Sequence, residues 1–165
     1  MAKYFPLFTD ISNKTFLVVG AGKIAARRIL KLREFECKII VVAKKISATI
    51  MDLEDDRLVL KERAYDSTDV IDMDFVIAAT GDLDVNEKIV WDCNREGIQV
   101  NDASNYKNCD FFFPGIVTFD EMVIGVTSSG SNHRLARKVA YELRYHIKDI
   151  VSKCKKELEE EQKAE

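Results

Sequence analysis

The stretch from Thr15 to Leu32 constrains this chain more than any other. Thr15-Phe-Leu-Val-Val19 is a run of β-branched and large apolar residues that stops at Gly20-Ala21-Gly22, after which Ile24 to Leu32 takes up helical spacing. A strand that turns so tightly into a helix must bury one face of that helix on its own sheet. The next apolar run, Lys38-Ile-Ile-Val-Val-Ala43, follows after a gap too short for more than a loop and reads as a parallel strand buried on both faces. Ile46 to Leu53 adds a helical turn or two, and Leu58-Val59-Leu60 a short third strand. The strongest run is Phe75-Val-Ile-Ala-Ala79, closed by Thr80-Gly81-Asp82. Val85, Ile89, Val90 and Cys93 then recur at helical intervals up to Gly97, and Ile98-Gln99-Val100 supplies a fifth strand. Strands alternating with helices over about the first 110 residues predict an α/β fold, an open parallel sheet with right-handed crossovers.

The pattern changes after that. Phe111 to Phe119 and Met122 to Val126 flank Asp120-Glu121 and read as an antiparallel hairpin, which is marginal alone and needs a further apolar surface. Ser128-Ser129-Gly130-Ser131-Asn132 offers loop and N-cap chemistry before a helix from about His133 to Ser152 or beyond. Its last stretch, Lys155 to Glu165, is almost wholly polar and is expected to fray. The division expected is residues 1–112 as a nucleotide-binding unit and 113–165 as a hairpin and helix too small to bury their own apolar face.

Composition removes several classes of function. Of 165 residues, 47% are apolar and 32% charged, with 2 prolines and 7 glycines, which excludes disordered and fibrous classes. No apolar run reaches a membrane-spanning length, and Met1 to Asp10 lacks the features of a signal peptide, so the expected location is the cytoplasm, away from membranes. Lys plus Arg number 25 against 28 for Asp plus Glu, a net charge of -3 that gives no field for a polyanion, so nucleic acid is not an expected partner. Cys37, Cys93, Cys109 and Cys154 form no C-x-x-C pair and read as free thiols. With only His133 and His146 as imidazoles, no metal site is expected.

Gly20-Ala-Gly22-Lys-Ile-Ala25 fits G-x-G-x-x-G/A in the context its mechanism requires, between a first strand and a first helix, and makes the fold Rossmann-like. Gly20 permits the turn, Gly22 lets the backbone approach a pyrophosphate, and Ala25 allows close packing. Lys23 and Ile24 open the helix whose N-terminus faces the phosphates. The acidic residue expected at the end of the second strand is replaced by Lys44 and Lys45, which suit either the extra phosphate of NADP or a solvated loop. Thr80 and Gly81 close the fourth strand beside the crevice and are candidates for the nicotinamide side.

A larger set of residues carries a family likeness. Tyr4-Phe5-Pro6-Leu7-Phe8, Val18-Val-Gly-Ala-Gly22, Ala78-Ala79-Thr80, Val100-Asn101, Cys109-Asp110-Phe111 with Pro114, and Leu135-Ala136-Arg137 together resemble the precorrin-2 dehydrogenases, the dehydrogenase/ferrochelatase domains of siroheme synthases. The resemblance runs from about Tyr4 to Arg144. It implies an oxidoreductase acting on precorrin-2, a tetrapyrrole, with NAD as cofactor and sirohydrochlorin as product, on the way to siroheme. In some relatives it implies a lyase activity as well, insertion of ferrous iron. It also implies a homodimer whose segment from about Phe113 onward exchanges with its partner.

Two departures from the family pattern matter. Family members carry an aspartate, the proposed acid/base, three positions after the asparagine that matches Asn101; Ser104 stands there, and Asp102 two residues earlier. Either Asp102 takes the role, or chemistry rests on cofactor positioning; a serine needs a base to accept a proton, and Asp102 is otherwise a turn residue. The family's proline before L-A-R is absent. Ser128, Ser129 and Ser131 read as donors to substrate carboxylates or as plain caps, and Arg137, with Arg134, Lys138 and Arg144, as a polycarboxylate contact or a solvated helix face. A different class of function also stands at this point, an NAD-binding regulatory or assembly domain without catalysis.

Overall fold

The computed structural model describes residues 4–53, 55–129 and 131–164. They fall into two compact units: Thr9–Phe112, and Phe113–Glu165 together with Met1–Phe8.

In the first unit β1 (Thr15–Val19), β2 (Lys38–Ala43), β3 (Leu58–Glu62), β4 (Phe75–Ala78) and β5 (Gln99–Asp102) form one parallel sheet in the order β3-β2-β1-β4-β5. The central strand is apolar on both faces because helices cover both, so Phe16 to Val19 are all buried. Side chains such as Leu17, Val42, Val76 and Ile89 exclude water completely, and each contributes about 1.5–3 kcal/mol by that burial. Helices α1 (Lys23–Leu32), the short α2 (Ala48–Met51) and α3 (Leu83–Glu96) occupy the crossovers. Gly97 ends α3 at φ 70°, a left-handed cap open to glycine without strain. Single 3-10 turns at Arg33–Phe35, Ser67–Val70 and Tyr106–Asn108 were not visible as periodicity, being shorter than one hydrophobic repeat.

The chain just beyond β5 turns back along that strand. The Val100 N–H donates to the Asp110 carboxylate at 2.9 Å and the Asp110 N–H to the Val100 carbonyl at 2.9 Å, so Asp110 borders the strand like a fragment of another. Phe111 then meets Phe75 edge-on, which stacks in turn on Phe16.

The second unit holds β6 (Gly115–Phe119), β7 (Met122–Val126) and α4 (His133–Ala164). Three expectations change here. The first hairpin strand starts at Gly115 rather than Phe111. The hairpin finds its apolar cover on its own chain: Val117, Phe119, Ile124 and Val126 pack against Ala140, Leu143, Ile147 and Val151, which share one face of α4. Gly115 lets α4 approach closely, since a Cβ there would stand 2.8 Å from that of Ala140. Finally, Lys155 onward is helical to Ala164 rather than frayed. Lys155 reaches Asp120 at 3.0 Å on the hairpin turn, and the i,i+4 pairs Lys153–Glu157 and Lys156–Glu160 add support along the exposed side. The Gly130 of the serine loop and Glu165 lie outside the described residues. No helix among the described residues is long and apolar enough to cross a membrane.

Candidate dinucleotide site

Three loops meet where the strand order reverses, at the carboxyl ends of β1, β4 and β5. In the first, Gly20 has φ 106°, and a Cβ there would stand 2.3 Å from the Ala79 carbonyl oxygen. Its N–H donates to the Val42 carbonyl at 2.8 Å, so the turn is held from both flanking strands. Gly22 is different: φ is -83°, and a Cβ would meet nothing within 4 Å.

Gly22 is the N-cap of α1, yet among the described residues no side chain caps this helix, and its first turn holds no acidic residue. The N–H groups of Lys23, Ile24 and Ala25 precede the first intrahelical bond, which Ala26 makes to the Gly22 carbonyl at 3.0 Å. Helix α3 provides the contrast within the same sheet, because the Asp82 carboxylate accepts from the Asp84 and Val85 N–H groups at 3.1 and 3.3 Å. One helix carries its own anion and the other leaves that position open. Uncapped amides, an exposed Lys23 and open space over Gly22 fit the pyrophosphate of a dinucleotide.

The second loop is Thr80-Gly81-Asp82. Thr80 is bound through both its N–H, 3.2 Å, and its hydroxyl, 2.6 Å, to the side-chain oxygen of Asn86, a fully buried residue of α3. Gly81 is exposed and a Cβ there would meet nothing, so backbone is presented to the crevice.

The third loop follows β5. Asp102 is 3% exposed, with one carboxylate oxygen accepting from the Ser104 N–H at 2.8 Å and its hydroxyl at 2.6 Å, and the other accepting from the Asn108 amide at 3.1 Å. The carboxylate is therefore enclosed, while Ser104, one hydrogen bond away, is exposed. The Cys109 thiol donates to the Asp102 carbonyl at 3.2 Å, and burial pushes that thiol up from its ordinary value. Burial also pushes the half-buried Arg28 guanidinium down to about 10; the nearby Asp102 carboxylate opposes that shift, and Arg28 remains a cation at neutral pH.

Lys44 and Lys45 are exposed in the loop after β2. Across the strand pair from Ala43 stands Glu62, whose carboxylate accepts from the Ile46 N–H at 3.3 Å and so shapes that loop. Ser128, Ser129, Ser131 and Arg137 belong to the other compact unit. There the Ser128 hydroxyl accepts from the Asn132 N–H at 3.0 Å, the Ser131 hydroxyl donates to the Ser128 carbonyl at 2.6 Å, and Asn132 caps α4 through the Leu135 N–H at 2.9 Å. Ser129 adopts φ 53°. Arg137, Lys138, Tyr141, Glu142 and Arg144 line a shallow depression along α4.

A family model described as "Putative NAD(P)-binding" matches residues 7–115. The chain belongs to this family. The NAD(P)-binding segment contains all three loops, from Gly20 to Asn108. Among curated proteins the chain is 40% identical over 142 residues to the "Probable multifunctional siroheme biosynthesis protein HemA" of Ruminiclostridium josui, which covers 85% of this chain and 28% of that protein. It is 31% identical over 136 residues to the siroheme synthase of Nitrosococcus oceani, covering 82% and 29% respectively. The chain thus spans less than a third of the length of each of these two relatives. A solved structure titled "SirC, precorrin-2 dehydrogenase" superposes with a TM-score of 0.71 at 25% identity, over 87% of this chain and 71% of that one. The Rossmann-like architecture expected from the sequence is the fold of that neighbour.

Within this NAD(P)-binding segment, sequence reasoning located the glycines and Thr80 but passed over Asn86. A signal was present: Asn86, Ile89, Val90 and Cys93 fall at i, i+3, i+4 and i+7, so a polar residue occupies the buried stripe of α3. Asn108, which fixes the second oxygen of Asp102, carried no such signal, since its partner is set by loop closure alone.

Proposed function

We propose that the chain is an NAD-dependent dehydrogenase that oxidises precorrin-2 to sirohydrochlorin. The observation that carries this reading is the likeness to the solved precorrin-2 dehydrogenase over 87% of the chain, which continues past residue 115, where the NAD(P)-binding match stops. A bare nucleotide-binding module would give no reason for that continuation.

The oxidation removes two hydrogens from the macrocycle, one as a hydride with its bonding pair and one as a proton released to the medium. When bound, NAD supplies the hydride acceptor. The chain's part is positional and electrostatic. Gly20, Gly22 and the first-turn amides from Lys23 to Ala25 hold the pyrophosphate, Lys44 and Lys45 flank the adenosine end, and Thr80 with Gly81 borders the nicotinamide. Ser104 receives the proton while its own passes to Asp102, 2.6 Å behind it. That division reconciles a buried carboxylate with a base requirement that serine alone cannot meet. Ser128, Ser129, Ser131 and Arg137 are the proposed contacts for the carboxylates of the substrate. No observation favours an added iron-insertion step.

The test is the absorbance change on mixing precorrin-2, NAD and the purified chain, followed beside Asp102→Asn. The substitution keeps the shape of the turn but removes the proton acceptor, and turnover is expected to fall by about 100-fold. A wild-type rate in Asp102→Asn removes the carboxylate from the mechanism, and no turnover by the wild type overturns the reading.

A second copy of the chain is the proposed partner. Packing on the hairpin leaves Leu135, Val139, Tyr141 and Tyr145 exposed along α4, with Tyr145 at 74%. Sedimentation equilibrium is expected to return twice 18.8 kDa. A species of single mass at micromolar concentration excludes the dimer.

A further inference from the structure

We infer that Asn86 is a positioning residue that fixes the direction of the Ser104 hydroxyl and thereby sets the path of the proton. The inference rests on the dehydrogenase reading and extends it to a residue outside the loops that would touch cofactor or substrate.

An uncharged amide buried in the first turns of a helix is costly unless its donors and acceptor are all used. Asn86 is 0% exposed and uses them. The Thr80 N–H can only donate, so the atom it meets at 3.2 Å must be the Asn86 carbonyl oxygen, which also receives the Thr80 hydroxyl at 2.6 Å. The orientation of the amide is therefore decided by Thr80, and the NH2 group is left to face the Thr80 carbonyl at 3.4 Å and the Ser104 hydroxyl at 3.2 Å. The NH2 group has no lone pair to offer, so the Ser104 oxygen must accept from it. The one proton of Ser104 is then free for Asp102, whose carboxylate only accepts, 2.6 Å away.

The result is a chain with a single sense: Asn86 donates to Ser104, and Ser104 donates to Asp102. Ser104 retains one lone pair, and its residue is exposed while both neighbours in the chain are buried. Asn86 belongs to the helix after β4 and Ser104 to the loop after β5, so the same amide also joins the two loops on one side of the crevice. No other side chain in the described network bonds to both.

The decisive variant is Asn86→Asp. It keeps the shape and the oxygen that Thr80 binds, but turns the donor facing Ser104 into an acceptor that competes with Asp102 for the single proton. The expected outcome is a fall in kcat of about 30-fold with the NADH dissociation constant, read by nicotinamide fluorescence, within about 3-fold of wild type. In a Ser104→Ala background the same change is expected to lower kcat by less than about 2-fold, because the two residues act as a unit. If Asn86→Asp does not fold, Asn86→Ala is compared in the same two backgrounds.

A wild-type kcat in the folded variant, or losses that multiply with Ser104→Ala, overturns the role of Asn86 while leaving the dehydrogenase reading intact. A wild-type chain that neither binds NADH nor oxidises precorrin-2 overturns both.

Discussion

Gly22→Asp is expected to melt with the wild type, or slightly above it, and to lose dinucleotide binding. The two effects have one cause. At the N-cap of α1 the backbone is already extended, at φ -83° and ψ -169°, and nothing lies within 4 Å of the position a Cβ would take. An aspartate there can accept from the N–H groups of its own helix, as Asp82 does for α3. That self-capping changes stability by a gain of up to about 0.5 kcal/mol. It also fills the place proposed for the pyrophosphate with a carboxylate of like charge, and NADH affinity is expected to fall at least about 100-fold. A thermal melt beside an NADH fluorescence titration reads both. Affinity unchanged in the variant would mean that the α1 N-terminus does not hold the phosphates.

Gly20→Ala, two residues away, is expected to fail in the opposite manner. Its φ of 106° is strained for any L side chain, and the added methyl would overlap the Ala79 carbonyl oxygen at 2.3 Å and carbonyl carbon at 2.6 Å. Both obstacles are backbone of the residue just past β4, held by its own N–H bond to the Val19 carbonyl at 2.8 Å, and cannot rotate away. The cost is expected to exceed about 3 kcal/mol, enough to lower Tm by roughly 10 °C or to prevent accumulation of folded protein. Urea denaturation measures it, and a variant as stable as wild type would place the turn away from β4. On these expected outcomes the paired glycines separate into one that the fold requires and one that dinucleotide binding requires.

Much of the sheet was readable because β1, β2 and β4 are local apolar runs and the turns after β1, β4 and α3 carry a glycine. β1, β2 and β7 begin and end where the run of residues predicts, and Gly97 stops α3 as expected. What escaped depends on partners distant in sequence. The last turns of α4 look frayed when read alone, and become ordered once Lys155 meets Asp120, 35 residues earlier. The hairpin looked orphaned because its cover, Ala140 to Val151, reads as an ordinary amphipathic helix without a stated target.

The site divides along the same line. Gly20, Gly22 and Thr80 carry their chemistry in a short motif. Asp102 was recognisable as a candidate, yet its enclosure depends on Ser104 and Asn108, and the sense of that enclosure on Asn86. A sequence gives the carboxylate; only the closed loop tells which of its neighbours meets the crevice.

The border that Asp110 places along β5 also bears on how the folded chain behaves in a crowded solution. A parallel sheet ends on two flanks, and each flank is a template on which a strand of another molecule can grow. On the β5 flank an N–H and a carbonyl of Val100 are already occupied, and the occupant is a charged carboxylate that an incoming strand would have to expel. Aggregation by strand addition is thereby discouraged on that side and directed to the other flank, at β3, where Val59 is exposed between Leu58 and Leu60.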